Sequence, residues 1–181
     1  MILFAVVVAV VAAAPVEAPE VIEVAEGVTP GWRATFDVHA EANDVLDVVV
    51  DQPRYSKTLF SGVKSLKVLT PPAAGTWQME YTTDGAMSFT YVSKNVLKKS
   101  PDGGGTLSWS RLSGDFDVVE GSWVITPLSE PGWSHVVYTV RVAMGPGFMQ
   151  GFLRDGIKDS TTGIAGRLRA VMARLPKKPS P

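Results

Sequence analysis

Ser134-His135-Val136-Val137-Tyr138-Thr139-Val140-Arg141-Val142-Ala143-Met144-Gly145-Pro146-Gly147 is the stretch whose reading decides the fold. As far as Met144 it reads as a strand. His135 alternates away from Val136 and Tyr138 and shares a face with Val137. Gly145-Pro146-Gly147 then ends the sheet. Beyond it, from about Phe148 to Leu175, the pattern becomes helical. Met149, Leu153, Ile157, Ile164, Leu168 and Leu175 keep a three-or-four spacing, with Thr161 filling the gap. Gly151, Gly156, Gly163 and Gly166 lie inside that helix, each at a cost of about 1 kcal/mol relative to alanine. Close approach to a sheet or to a ligand would offset the cost.

Backwards from Ser134 the chain reads as strand, turn, strand. Phe116 to Thr126 and Thr106 to Ser113 are strands joined at Gly114-Asp115, and Pro101 to Gly105 is a turn. Met87, Phe89 and Tyr91 alternate in one strand, and Trp77, Met79 and Tyr81 in its predecessor. Asp84-Gly85 makes a tight hairpin between them, because glycine tolerates positive φ. Val63 to Leu69 is a strand ending at Pro71-Pro72. Closely spaced turns predict an antiparallel meander. Upstream, Val45, Leu46, Val48 and Val49 give a short helix an apolar side, with Asn43 or Asp44 as its cap and Pro53 closing it. Arg54 to Lys57 begins a second short helix or turn. Earlier still, Trp32, Ala34, Phe36, Val38 and Ala40 share one face of a strand, and Arg33, Thr35, Asp37 and His39 the other.

The N-terminal Met1–Ala14 is apolar but shorter than the roughly 20 residues of a bilayer span. Its alanine-rich end suits a signal-peptide cleavage site, although no Lys or Arg precedes it. The expected organisation is residues 1–18 as signal peptide or apolar anchor, 19–31 as linker, 32–175 as one domain and 176–181 as a disordered tail. Export to the periplasm or the extracellular space follows from that reading. A buried first strand is the structural alternative.

Composition removes whole classes of function. Among 181 residues, 17 are Lys or Arg and 18 are Asp or Glu, a net charge of −1. That balance gives no footprint for nucleic acid. There is no cysteine and there are only two histidines, His39 and His135, so thiolate chemistry and His-rich metal sites are excluded. No nucleophile elbow, phosphate loop or dinucleotide fingerprint is present. No metal or other cofactor is implied.

The order of elements resembles the helix-grip fold of the START and polyketide-cyclase-like superfamily, also called SRPBCC, with its coenzyme Q-binding branch. Three stretches carry the resemblance. The first runs from Val45-Leu46-Asp47 through Arg54-Tyr55 to Gly62-Val63 and Val68-Leu69. Ser56 and Thr58 stand in it where the family often has Pro and Trp. The second is Gly121-Ser122-Trp123 to Pro127. The third is Ser134-His135-Val136-Val137-Tyr138 followed by Pro146. The resemblance spans Trp32 to Leu175. It implies an α+β fold in which a curved antiparallel sheet of about seven strands wraps on a long C-terminal helix, with two short helices after the first strand. It also implies a cavity between sheet and helix. Members bind sterols, phospholipids, quinones and polyketides; some are enzymes and many are carriers.

The residues suggest what such a cavity holds. Phe89, Tyr91, Trp109 and Tyr138 are expected on the sheet side and Phe152, Leu153 and Ile157 on the helix side. Arg111 shares the face of Trp109 and is a candidate clamp for a carboxylate or phosphate, with a solvated arginine as the alternative. No catalytic residue is assigned. The expected partner is a hydrophobic small molecule or lipid. A cyclase would instead use Arg111, Glu120 and Tyr138, and an interaction module would have a filled interior. Arg167, Arg169, Arg174, Lys177 and Lys178 leave a transient membrane contact open, a solvated helix face being the simpler reading. Nothing in the sequence sets the oligomeric state.

Overall fold

The computed structural model describes residues 15–16, 18–26, 29–84, 88–145 and 147–176. The apolar run Met1–Ala14, the Gly85 of the expected hairpin and the tail beyond Pro176 lie outside the described residues. Eight strands form one sheet: β1 (Glu20–Glu26), β2 (Thr29–Val38), β3 (Val63–Ala73), β4 (Thr76–Thr83), β5 (Thr90–Lys99), β6 (Gly105–Gly114), β7 (Val118–Pro127) and β8 (Ser134–Ala143). Their spatial order is β1-β2-β8-β7-β6-β5-β4-β3, with every neighbouring pair antiparallel. Two short helices, α1 (Ala42–Val50) and α2 (Gln52–Leu59), separate β2 from β3. Two more, α3 (Gly147–Thr162) and α4 (Ile164–Met172), follow β8. This is the curved, open sheet and C-terminal helix of the helix-grip fold.

The alternation read from sequence becomes one buried face. Ala34, Phe36 and Val38 of β2, Met79 of β4, Leu107 of β6, Trp123 and Ile125 of β7 and Val136 of β8 are all buried. Val45, Leu46 and Val49 of α1, Leu59 of α2, and Ile164 and Leu168 of α4 close over them. Each such side chain contributes roughly 1.5–3 kcal/mol by leaving water. α1, α2 and α4 therefore seal part of the sheet.

Several expectations change. Residues 20–26, expected inside a linker, form β1 and pair with β2 from Glu20↔Thr35 to Glu26↔Thr29. That is why the strands number eight. Val16 is also stitched in: its amide donates to Asp37 Oδ2, and its carbonyl accepts from the Asp37 amide at 3.1 Å. Asp37, expected on a polar face, is consequently buried beside His135, whose Nδ1 lies 2.6 Å from Asp37 Oδ1. Asn43 does not cap α1. Its Oδ1 accepts the amide of Gly104 at 2.9 Å and fastens the β5–β6 turn to the helix.

The terminal helix is not continuous. It breaks at Gly163 into α3 and α4. A Cβ at Gly163 would lie 2.4 Å from the Arg167 guanidinium. That guanidinium folds back onto the helix joint, donating from Nε to the Leu59 carbonyl at 2.7 Å and from Nη2 to the Ser160 carbonyl. Side-chain packing thus accounts for one of the four helix glycines. Nothing lies within 4 Å of a Cβ built at Gly151, Gly156 or Gly166. At the sheet's far edge, β3 runs on through Pro71-Pro72 to Ala73, past the expected end at Leu69. An edge strand loses little by having prolines on its unpaired side.

Candidate functional site

The part of the concave face that α1, α2 and α4 leave uncovered lies under α3. A cavity of about 350 Å³ occupies the space. Tyr81, Tyr91 and Trp109 line it from β4, β5 and β6, and Tyr138, Val140 and Val142 from β8. Phe116 and Val119 close one end. Leu153, Gly156, Ile157, Ser160 and Thr161 of α3 form the roof. The exposed residues Ser61, Gly62, Asp84 and Gly156 mark where it opens to solvent.

Aromatic packing fixes the walls. Tyr81 and Tyr91 stack with centroids 5.0 Å apart, and Tyr91 meets Phe116 edge-on at 5.4 Å. Tyr138 lies 4.5 Å from Trp123, 6.0 Å from Trp109 and 6.3 Å from Phe60. Gly121, paired with Trp109 across β6 and β7, makes that box possible. A Cβ there would stand 2.3 Å from the Trp109 ring and 2.3 Å from the Thr139 carbonyl.

Burial raises the pKa of all three phenols above the ordinary 10.0. For Tyr81 the neighbouring Tyr91 and Tyr138 add to the effect, and a hydrogen bond with Ser93 opposes it. For Tyr138 the neighbouring Tyr91 adds and Arg167 opposes. The three hydroxyls are therefore neutral donors. Tyr81 spends its proton on Gln52 Oε1. Burial lowers the pKa of Arg167, which nonetheless remains charged.

Of the residues expected to contact a ligand, Phe89, Tyr91, Trp109, Tyr138, Leu153 and Ile157 all line the cavity. The side chain of Phe152 lies outside the described ones. Arg111 does not line the cavity. It pairs with Ser93 on the buried face as alternation requires, but its Nη2 donates to the Gly114 carbonyl at 2.8 Å. The strand end thus holds one nitrogen of the guanidinium, while its Nε is buried without a hydrogen-bond partner. Glu120 is on the opposite, convex face, in an ion pair with Arg141 at 2.8 Å. Of the three cyclase candidates, only Tyr138 faces the cavity. Trp77 and Trp123 are core residues.

Sequence reasoning missed Gln52, Phe116, Val119 and the polar pair Ser61 and Ser160, whose hydroxyls lie 3.3 Å apart across the opening. Gln52 and Ser61 sit at helix ends and Phe116 in a turn, where no periodicity marks them. Thr161 did leave a signal, as a polar residue occupying an apolar slot of the helix. Among the described residues no group of three or more His, Asp or Glu could hold a metal ion. No described helix is long and apolar enough to cross a membrane.

No curated protein is similar to this chain in sequence. Among solved structures, a STAR-related lipid transfer protein fragment from Xanthomonas axonopodis superposes with a TM-score of 0.71 at 14% identity, covering 90% of this chain and 98% of that one. The lipid transfer and protein localization domain of human StarD13 (DLC2) gives 0.69 at 19% identity, covering 91% and 89%. The ZhuI aromatase/cyclase of a Streptomyces species gives 0.66 at 13%, covering 86% and 95%. At these identities the likeness establishes the fold. Residues 38–168 match the family described as polyketide cyclase / dehydrase and lipid transport, and the chain belongs to that family.

Proposed function

We propose that this chain is a binding protein that carries a lipid-like or other hydrophobic small molecule under α3. The observation that carries the reading is the cavity of about 350 Å³, walled mainly by aromatic and aliphatic side chains. A cavity of that size and lining suits a small apolar guest and is costly to leave empty. The lipid transfer proteins and the aromatase/cyclase that share the fold are in keeping with it. Native mass spectrometry of the purified chain tests it directly: a co-purified apolar molecule is expected. Failure to retain any molecule, together with failure to bind an environment-sensitive apolar dye, rejects it.

A cyclase would occupy the same space. The carrier reading is preferred because the described lining residues include no convergent acid–base pair. Asp84, the carboxylate among them, is at the exposed rim, and Glu120 and Arg111 do not line the cavity. Turnover of a linear poly-ketone thioester would reverse that preference. Export belongs to the same proposal, on the strength of the apolar Met1–Ala14 run; cell fractionation with N-terminal sequencing tests it.

A further inference from the structure

The inference rests on the cavity being a ligand site and concerns which guest it selects. We infer that the guest is an uncharged molecule with an oxygen acceptor at the Thr161 end and hydrocarbon toward Leu153. Thr161 is fully buried, lines the cavity, and its hydroxyl has no hydrogen-bond partner. The adjacent Thr162 shows what a helical threonine ordinarily does: its hydroxyl returns to the Lys158 carbonyl at 2.9 Å. Thr161 forgoes that bond. A buried hydroxyl without a partner is costly, and a ligand oxygen would satisfy it.

Two more donors converge on the same space. Tyr91 and Tyr138 line the cavity, and their hydroxyls make no hydrogen bond among the described residues. Their burial keeps them protonated. A phenol donates more readily than it accepts, so the cavity calls for an acceptor.

Charge complements the argument. Among the described residues no Lys, Arg or His lines the cavity, so an anionic head group would be desolvated without a counter-ion. Arg167 comes near Tyr138, but its guanidinium is tied to the Leu59 and Ser160 carbonyls. A cation would meet only Asp84, at the rim. Phe89 and Phe116 pack edge-on at 5.6 Å and make an apolar end with Leu153, to which the ring of Tyr91 also packs, 5.4 Å from Phe116. Leu153 and Thr161 are eight positions apart on α3, about 12 Å along the axis, which sets the guest's length.

The test uses shape-matched probes on the full chain. Acetylnaphthalene, ethylnaphthalene, naphthoate and naphthyltrimethylammonium are titrated by fluorescence or calorimetry. The ketone is expected to bind about tenfold tighter than the hydrocarbon, as one or two net hydrogen bonds allow, and both ions more weakly than the ketone. Thr161→Val and Tyr138→Phe should each shrink the ketone-to-hydrocarbon ratio, measured within each variant, about threefold. An ion binding tightest, or a ketone-to-hydrocarbon ratio near one in the unmodified chain, overturns the inference while leaving the cavity as a binding site. An unaltered ratio in both folded variants overturns the assignment to these hydroxyls. Should no probe bind, ethylnaphthalene included, the carrier reading itself falls. The comparison on the unmodified chain stands even if a variant fails to fold.

Discussion

Gly156 gives two observables that should move in opposite directions. It lies in the interior of α3, lines the cavity, and has nothing within 4 Å of where a Cβ would stand. Gly156→Ala adds a methyl group without a clash and removes the glycine penalty, so stability should rise by about 1 kcal/mol. For a domain of this size that is a gain of about 2–4 °C in Tm. Gly156→Leu keeps the propensity gain and places a larger apolar group against the cavity wall. Burial of even part of it adds about 1 kcal/mol, for roughly 2 kcal/mol in total. The same side chain takes the guest's place in a cavity of about 350 Å³. Affinity for an apolar dye should therefore fall at least tenfold in the leucine variant and change little in the alanine one. Thermal unfolding by circular dichroism, with and without saturating dye, reads both effects. Saturating dye should raise the Tm of the parent chain more than that of Gly156→Leu, by about 1.4 kcal/mol of linkage for each tenfold loss of affinity. A leucine variant that is stabilised yet binds as the parent does would show that Gly156 does not guard the space. One that is destabilised would show that the wall is already filled.

Three further outcomes follow from contacts described above. Gly121→Ala drives a methyl group into the Thr139 carbonyl and the Trp109 ring, both 2.3 Å away, and should cost about 1–3 kcal/mol in urea unfolding while shifting tryptophan emission. Arg167→Met removes charged donors from the Leu59 and Ser160 carbonyls and should cost about 2 kcal/mol; Arg167→Lys should rescue little of it, because an ammonium lacks the fork that spans both acceptors. Stability should also fall in alkali. Tyr81, Tyr91 and Tyr138 have folded-state pKa values raised above 10.0, so the unfolded chain loses these protons first. The contribution is fully present below pH 10 and is lost above it. The slope should approach about 1.4 kcal/mol per pH unit per phenol, or about 4 for the three, with the tyrosinate absorbance of these three phenols appearing only as the chain unfolds.

The strands were legible because a sheet with one face covered must alternate. Trp32, Ala34, Phe36 and Val38 announce the inner face of β2 without any knowledge of what covers it. The same rule placed Phe89, Tyr91, Trp109 and Tyr138 toward the interior, and the helical period placed Leu153 and Ile157 opposite them. What periodicity could not express was decided by tertiary partners. β1 has weak patterning and owes its strand geometry to β2. Asp37 looks like a surface residue until Val16 and Arg169 are brought to it from 21 and 132 positions away. The terminal helix divides at Gly163, where the Arg167 guanidinium fills the place a Cβ would take. Arg111 obeys alternation and still misses the cavity, since a carbonyl three residues on claims its guanidinium. Thr161 is the instructive intermediate. The sequence showed a hydroxyl in an apolar row, and the structure leaves that hydroxyl buried without a partner.

An open sheet has a cost that a closed barrel avoids: two borders of backbone able to recruit further strands. Here the outer border of β3 carries Pro71 and Pro72, which supply no N–H, beside Lys64 and Lys67. β1 carries the exposed Glu20, and its Glu23 is held by Arg154 of α3 at 2.7 Å. A chain that holds an oily pocket half open thus denies its neighbours a template for β-aggregation, and crowding at high expression need not turn its exposed edges into fibrils.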